Sequence, residues 1–558
     1  MCGPNCDGLV AFPQRAALWG DALAVLEPGP VALVSQSGNL AVNALAARRG
    51  LRFHTVLSSG NEAVVSAADW LEALTGRDGV RSVALFLESE GDGRRLCEAL
   101  ARCADARIGV AVLKVGASAT GASAAAAHTG ALAGDHVAFR ALVEEAGAAW
   151  AEDVHDLLEL AKALAVRGSR PHRDGGLAIL TCSGGDSGLG ADEAARRGLD
   201  LPPLAPATRE RLRALLPAAA TVANPLDYTS LVWADVDTLR DTIAALAGDP
   251  GVDQLLVFYD QPPGLDGAML AEWSAVRAGI EAGAAISAVP VLVGATLPEL
   301  LDDDAAWSLA GRGVPAIAGL RTALVCAAAL RAPPPDAARL RAIAAAAMPS
   351  APGAWLDEAG AKALLAEAGI AVPPGRVAHD EDDAAAVAAR LGRPVALKLV
   401  AAELRHKTAA GALALGLEDE RPVREAYRRL AARDGGRVLV EAMAPPGVEL
   451  LVAARRDAVV PVLTLGLGGV WTEALGDAVV VPLPADAERV ERSLRSLRGA
   501  PLLTGDVAAA SALAARAGDL LLERDLELLE LNPVIVHERG AVVVDALARA
   551  GQEGAPSP

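Results

Sequence analysis

The stretch VALVSQSGNLAVNALAARRG, residues 31–50, decides how this chain folds. Its first five residues are almost wholly apolar, with no alternation between polar and apolar positions. That is the pattern of a strand covered on both faces, as in a parallel sheet flanked by helices. SQSGN (35–39) is a turn, and LAVNALAARRG (40–50) continues as a helix. A glycine and two hydroxyls at a strand-to-helix turn, on the C-terminal edge of a parallel sheet, make a cradle for an anion.

Working outward, the same alternation recurs. TVLSSG (55–60), SVALFLE (82–88) and IGVAVLKVG (108–116) are short apolar runs, each followed by an amphipathic or alanine-rich stretch. A second block starts at GLAILTCSGGDSG (176–188) and continues through VDQLLVFYD (252–260), VPVLVGATL (289–297) and VPAIAGL (314–320). The expectation is an α/β chain with two flavodoxin-like parallel-sheet domains in tandem, over 1–168 and 169–331. SGGDSG (183–188) occupies the place that SQSGN holds in the first block, as an anion cradle or as a turn required only for tight packing.

The triple proline of ALRAPPPDAARLRAIAAAAMPSAPG (329–353) sets a boundary, with a linker expected over 332–353. Beyond it come a helix, LDEAGAKALLAEAG (356–369), and strands PVALKLV (394–400), GRVLVEAM (436–443), VELLVAARR (448–456), LLELNPVIV (528–536) and AVVVDALAR (541–549). Strand pairs with few helices between them predict an α+β domain over 354–550, and the final GQEGAPSP (551–558) a disordered tail.

One histidine stands out. His128 lies in AAAHTGALAGD (125–135), after GASATGASAAAA (116–127), a run with almost no bulk that lets backbone N–H groups approach an anion. HVAFRALVEEAG (136–147) would point a helix N-terminus at the same place. His128 either carries a phosphoryl group there or is an incidental surface histidine.

Composition narrows the class. At ~150 residues per domain, 558 residues make three or four domains. A net charge of −19 and no basic stripe exclude a nucleic-acid partner. No apolar run is long enough to span a bilayer, and MCGPNCDGLV has neither the basic nor the apolar region of a signal peptide, so a soluble cytoplasmic protein is expected. The six scattered cysteines form no CxxC pair, which argues against disulfides or a zinc site.

Together these stretches resemble the NDP-forming acyl-CoA synthetases, the acetate–CoA ligase (ADP-forming) group of the succinyl-CoA synthetase superfamily. In the first two blocks the resemblance rests on GPNCDGL (3–9), SQSGN, LSSGNEA (57–63), FLESEGDGR (86–94), the His128 loop, CSGGDSGLGADEA (182–194) and ANPLDYT (223–229). After the linker it rests on LDEAGAKALLAEAGIAVP (356–373), RPVALKLVAAELRHKT (393–408), LVEAMAPPGVELLV (439–452), LGLGGVWTEALGDAVV (465–480) and LELNPVIV…VVVDALAR. This second part is similar to the family's ATP-grasp portion, so the chain reads as an α–β fusion.

The resemblance implies an acid–thiol ligase: acid, CoA and ATP exchange with acyl-CoA, ADP and phosphate through an acyl phosphate and phosphohistidine. It makes His128 the phosphorylated histidine and Glu88 the carboxylate that orients it. Ser35, Ser37 and Gly38 would hold phosphate, and Cys6 would lie near the CoA thiol. Lys398 would contact nucleotide phosphates and Glu441 the adenine region. Asn532 and Asp545 would bind Mg²⁺, Glu530 would meet the phosphohistidine at the nucleotide, and His406 would relay phosphate. A homodimer or a separate CoA-binding subunit is the implied assembly. Relatives carry a CoA-binding domain before GPNC, of which 1–27 would be the end. That platform is then encoded upstream, supplied by another polypeptide, or replaced by another mode of binding. The chain also departs from the family at Ala409, Ala410, Gly411 and Ala412 after HKT, at Val459 and Val460, and at TGDVAAA (504–510). The alternative reading is a catalytically degenerate regulatory protein that binds nucleotide or acyl-CoA.

Overall fold

The computed structural model describes residues 3–23, 27–118, 120, 121, 123, 135–167, 175–348, 351–400, 411–433, 437–469 and 476–552. The chain divides near residue 340 into two compact units.

The first unit contains two sheets. One is built from β1 (Gly8–Ala11), β2 (Ala16–Trp19), β3 (Val31–Ser35), β4 (Phe53–Ser58), β5 (Ser82–Leu87), β6 (Gly109–Lys114) and β7 (Ala149–Trp150), in the order β2-β1-β4-β3-β5-β6-β7. From β4 to β7 every pairing is parallel. β3, β4 and β5 are buried at every residue, which is why their sequences run apolar without alternation. β1 and β2 are an addition to the sequence reading. The stretch expected to end a CoA-binding domain folds as a hairpin whose inner strand runs antiparallel to β4, with Gly8 opposite Ser58. Strands of four residues are too short to announce themselves by periodicity.

The other sheet holds β8 (Gly176–Thr181), β9 (Leu226–Asp227), β10 (Val252–Phe258), β11 (Val291–Gly294) and β12 (Ala316–Ile317), ordered β12-β11-β10-β8-β9 and parallel throughout. The helix Val154–Val166 packs on the first sheet and on the helix Leu320–Leu330, which follows β12. It is buried from Asp156 to Ala165, so its charges need partners. Glu159 receives Arg49 Nε at 2.5 Å, Lys162 Nζ at 2.7 Å and the Ala318 amide at 2.9 Å. Nearby, Asp303 accepts from the Gly50 amide at 2.7 Å and pairs with Arg52 at 2.6 Å. Gly50 has φ +74°, and a Cβ there would fall 2.6 Å from that of Ala306.

The second unit is antiparallel. β14 (Gly375–Ala378), β15 (Val395–Leu399), β16 (Leu413–Leu417) and β17 (Val438–Ala442) form a small sheet in the order β14-β17-β15-β16. β13 (Ala351–Leu356), β18 (Val448–Arg455), β19 (Val462–Leu467), β20 (Ala478–Pro482), β21 (Leu526–His537) and β23 (Ala546–Gln552) form a larger one, ordered β13-β23-β21-β18-β19-β20, with β22 (Gly540–Val543) also on β21. Two details differ from expectation. The stretch read as a linker contains the helix Ala337–Ala346, where Leu340 and Ile343 are fully buried despite the alanine-rich, low-complexity look of the sequence. AVVVDALAR is two strands, broken between Val543 and Ala546, and the second runs on to Gln552, into the stretch expected as a disordered tail. No helix among the described residues is long and apolar enough to cross a membrane.

Candidate active site

The SQSGN turn leaves β3 at its C-terminal end and enters the helix Gly38–Leu45. Ser35 is fully buried, and its hydroxyl is spent inside the turn: Oγ donates to the Ser37 carbonyl at 2.7 Å and accepts from the Ser37 amide at 3.1 Å. Ser35 therefore shapes the cradle. Ser37 caps the helix, accepting from the Leu40 amide at 3.4 Å. At Gly38 a Cβ would come within 2.2 Å of Asp7 Oδ2, so the start of the helix approaches the N-terminal segment closely.

Gln36, which the sequence reading passed over, joins this turn to Glu88. Its Oε1 accepts the amides of Glu88 at 2.6 Å and Ser89 at 3.0 Å, and its Nε2 donates to the Ser89 carbonyl at 3.3 Å. Glu88 directly follows β5, and Lys114, at the end of β6, pairs with Glu90 at 3.1 Å in a buried contact. The ends of β3, β5 and β6 thus present a hydroxyl turn, a carboxylate and an ion pair along one edge.

Cys6 reaches the same edge. The Asn61 amide donates to the Pro4 carbonyl at 3.0 Å and the Ala63 amide to Gly3 at 3.2 Å, laying the GPNC stretch on the loop after β4. Gly60 makes this possible: φ is +61°, and a Cβ would meet the carbonyl oxygens of Pro4 and Asn5 at 2.2 and 2.3 Å. Cys6 is a half-buried free thiol. Glu62, in the same loop, accepts from Ser59 Oγ at 2.7 Å and from the Ala67 amide at 2.9 Å. Burial pushes its carboxyl above the usual range against those two bonds and a third from the Gln36 side chain. Nothing in the sequence marked it beyond membership of LSSGNEA.

His128 and His406 lie outside the described residues. The helix expected to face His128 is present as His136–Glu145, but Asp135 Oδ1 already accepts two of its first amides, Val137 at 3.0 Å and Ala138 at 3.1 Å. A capping carboxylate there removes two donors that an anion would have used.

In the second unit, Lys398 on β15 and Glu441 on β17 are brought together. Lys398 Nζ lies 3.1 Å from Glu441 and 2.9 Å from Glu358, and also donates to the Val544 carbonyl. Burial works against its positive charge, but Glu358, Glu441 and Asp545 outweigh it and hold its pKa above the ordinary lysine value. Glu530 and Asn532 sit two residues apart on β21, on the face opposite the buried Leu529 and Leu531. The Asn532 amide donates to the Asp545 carbonyl at 3.1 Å, so these two oxygen-bearing side chains stand on neighbouring segments. Among the described residues no group of three or more His, Cys, Asp or Glu could hold a metal. Mg²⁺ needs less: it keeps several waters and takes one or two protein oxygens plus substrate phosphates, which this pair fits.

Residues 28–164 match the model of the succinyl-CoA ligase like flavodoxin domain, and 347–549 that of an ATP-grasp domain. A trans-feruloyl-CoA synthase from an unknown prokaryotic organism is 31% identical over 98% of this chain and 80% of its own length. The chain belongs to the ADP-forming acyl-CoA synthetase family. A second member, the acetate–CoA ligase (ADP-forming) I of Archaeoglobus fulgidus, is 30% identical over 99% of this chain and 82% of its own. Among solved structures, the dinucleotide-forming acetyl-coenzyme A synthetase 1 of Ca. Korarchaeum cryptofilum, in complex with phosphate and ADP, superimposes with a TM-score of 0.50. It is 26% identical and covers 61% of this chain and 71% of its own. Family membership favours a ligase over a degenerate regulatory relative.

Proposed function

We propose that this chain is an acid–thiol ligase that interconverts a carboxylic acid, CoA and ATP with acyl-CoA, ADP and phosphate. The observation that carries the reading is the common edge at which the Ser37–Gly38 turn, Glu88 and the Cys6 segment meet, in a chain that matches ADP-forming ligases over nearly its whole length. Phosphate attacks the acyl-CoA carbonyl carbon and the thiolate of CoA leaves, giving an acyl phosphate. A ring nitrogen of His128 then attacks phosphorus and the carboxylate leaves. In the last step an oxygen of ADP attacks the phosphohistidine phosphorus, forming ATP and freeing the imidazole.

Positioning and electrostatics carry most of such phosphoryl transfers. Glu88 orients His128 through its other ring nitrogen, and Ser37 with Gly38 cradles the phosphate on a turn shaped by Ser35. Cys6 stands where the CoA thiol end would approach. Lys398 serves the nucleotide phosphates, Glu441 the adenine side, Glu530 the arriving phosphohistidine, and His406 a second relay. Asn532 and Asp545 would hold Mg²⁺, which when bound offsets phosphate charge. Residues 1–168 and 169–331 would be the two flavodoxin-like domains and 354–550 the ATP-grasp domain, acting in the cytoplasm as a homodimer or with a CoA-binding subunit. Incubation with Mg²⁺ and γ-labelled ATP should give an acid-labile label that His128→Ala removes from the 116–135 segment and that His128→Ala with His406→Ala abolishes. Label persisting in the double variant, or at 116–135 in the single one, would overturn the assignment.

A further inference from the structure

The helix Glu358–Glu367 carries two buried charges to which the chemistry above assigns no part. Glu358 and Lys362 are 4% and 6% exposed and pair one helical turn apart at 2.9 Å. Lys362 Nζ also donates to Glu441 Oε1 at 2.5 Å and to the Val544 carbonyl at 2.8 Å. These are the three acceptors that Lys398 uses: Glu358, Glu441 and Val544. An ammonium has three N–H bonds, so each lysine is fully engaged by the same trio.

Two lysines and two glutamates make the cluster neutral. Lys398 can turn toward a phosphate only by releasing acceptors, and a buried carboxylate stripped of its cation costs several kcal/mol, on the order of 3–5. Lys362 touches all three acceptors and lies on the helix, not on the strand that carries Lys398. It can stay with them when Lys398 leaves.

We propose that Lys362 is a positioning residue for nucleotide binding: it keeps Glu358, Glu441 and the Val544 carbonyl partnered, which frees Lys398 to engage the nucleotide phosphates. This rests on the nucleotide role given to Lys398 above. Without Lys362, Lys398 is left to serve Glu358, Glu441 and the Val544 carbonyl and is held there.

The test is a double-mutant cycle read by calorimetric titration of the full chain with MgADP. Lys362→Met should weaken binding by about tenfold or more, on the scale of losing a supporting residue around a site. In a Lys398→Met background the same change should cost less than about twofold, because a residue acting through Lys398 has nothing left to free. Equal losses in both backgrounds, or no loss in either, would overturn the inference. If Lys362→Met, alone or with Lys398→Met, does not melt cooperatively, Lys362→Met with Glu358→Gln is set in the cycle against Lys398→Met with Glu441→Gln, pairings that keep the cluster neutral at every corner, with the same expected contrast. A wild-type chain that binds no MgADP would sink the nucleotide reading itself, and this inference with it.

Discussion

Glu159 Oε1 lies 2.5 Å from Arg49 Nε, and the carboxylate is completely buried between the two sheets of the first unit. Its other oxygen serves Lys162 and the Ala318 amide. Burial alone would push this carboxyl up, but Lys162 and Arg49 outweigh it and hold the group below the ordinary glutamate range.

Glu159→Gln would leave the buried Lys162 and the partly buried Arg49 without their anion. The expected cost is ~3–5 kcal/mol, the usual penalty for breaking one side of a buried pair, read from urea denaturation at pH 7. A depressed folded-state pKa contributes stability above the unfolded value and loses it as pH falls through the folded one. The gap between wild type and variant should therefore narrow on acidification below the ordinary glutamate range. A gap constant down to acid pH would contradict this account.

Glu62 has the opposite sign. Burial raises its carboxyl, so the folded state favours the protonated form, and this contribution is present in acid and lost as pH rises through the folded value. Glu62→Gln keeps an acceptor for the Ala67 amide and a donor for the Ser59 hydroxyl, without the charge. It should be more stable than wild type at neutral pH and equal to it in acid, by thermal denaturation across that range.

Gly60→Ala would drive a Cβ into two backbone carbonyls of the GPNC stretch. A loss of ~1–3 kcal/mol is expected, as for other overpacking changes. Because the clash lies with the carbonyls of Pro4 and Asn5, next to Cys6, its thiol should also react faster with a disulfide reagent. An unchanged rate would mean that Gly60 does not hold that segment.

Gln36→Ala removes the acceptor shared by the Glu88 and Ser89 amides. If Glu88 orients His128, labelling from γ-labelled ATP should slow by about 10–100-fold, the scale of supporting hydrogen bonds around a reactive histidine, with MgADP affinity unchanged in calorimetry. Equal labelling rates would separate Gln36 from the chemistry.

Much of the architecture was legible because it is written in fully buried strands. VALVS, SVALFLE and GLAILT show no alternation, and they form β3, β5 and β8 within one or two residues of the expected ends. The hairpin at 8–19 and β19 and β20 were not legible. Their pairing is set by distant partners, and short or mixed sequences carry no period of their own. At the candidate site, local stretches single out residues but do not show their bonding. Ser35 and Ser37 look equivalent in SQSGN, and only the folded turn shows Ser35 turned inward. Gln36, Glu358 and Lys362 were not legible because the partners that define them lie between 40 and 182 residues away in sequence, and Glu62, whose bonds are local, because its burial is set by the fold.

The close fit at Gly50 and the charges gathered on Glu159 bear on how this chain can be recombined with its relatives. Arg49, Gly50 and Arg52 come from before β4, Glu159 and Lys162 from the helix Val154–Val166, and Asp303, Ala306 and Ala318 from around the last helices of the second sheet. A crossover placed between the sheets would join halves whose complementary charges and small residues were selected apart. Chimeras within this family should keep residues 31–330 from one parent.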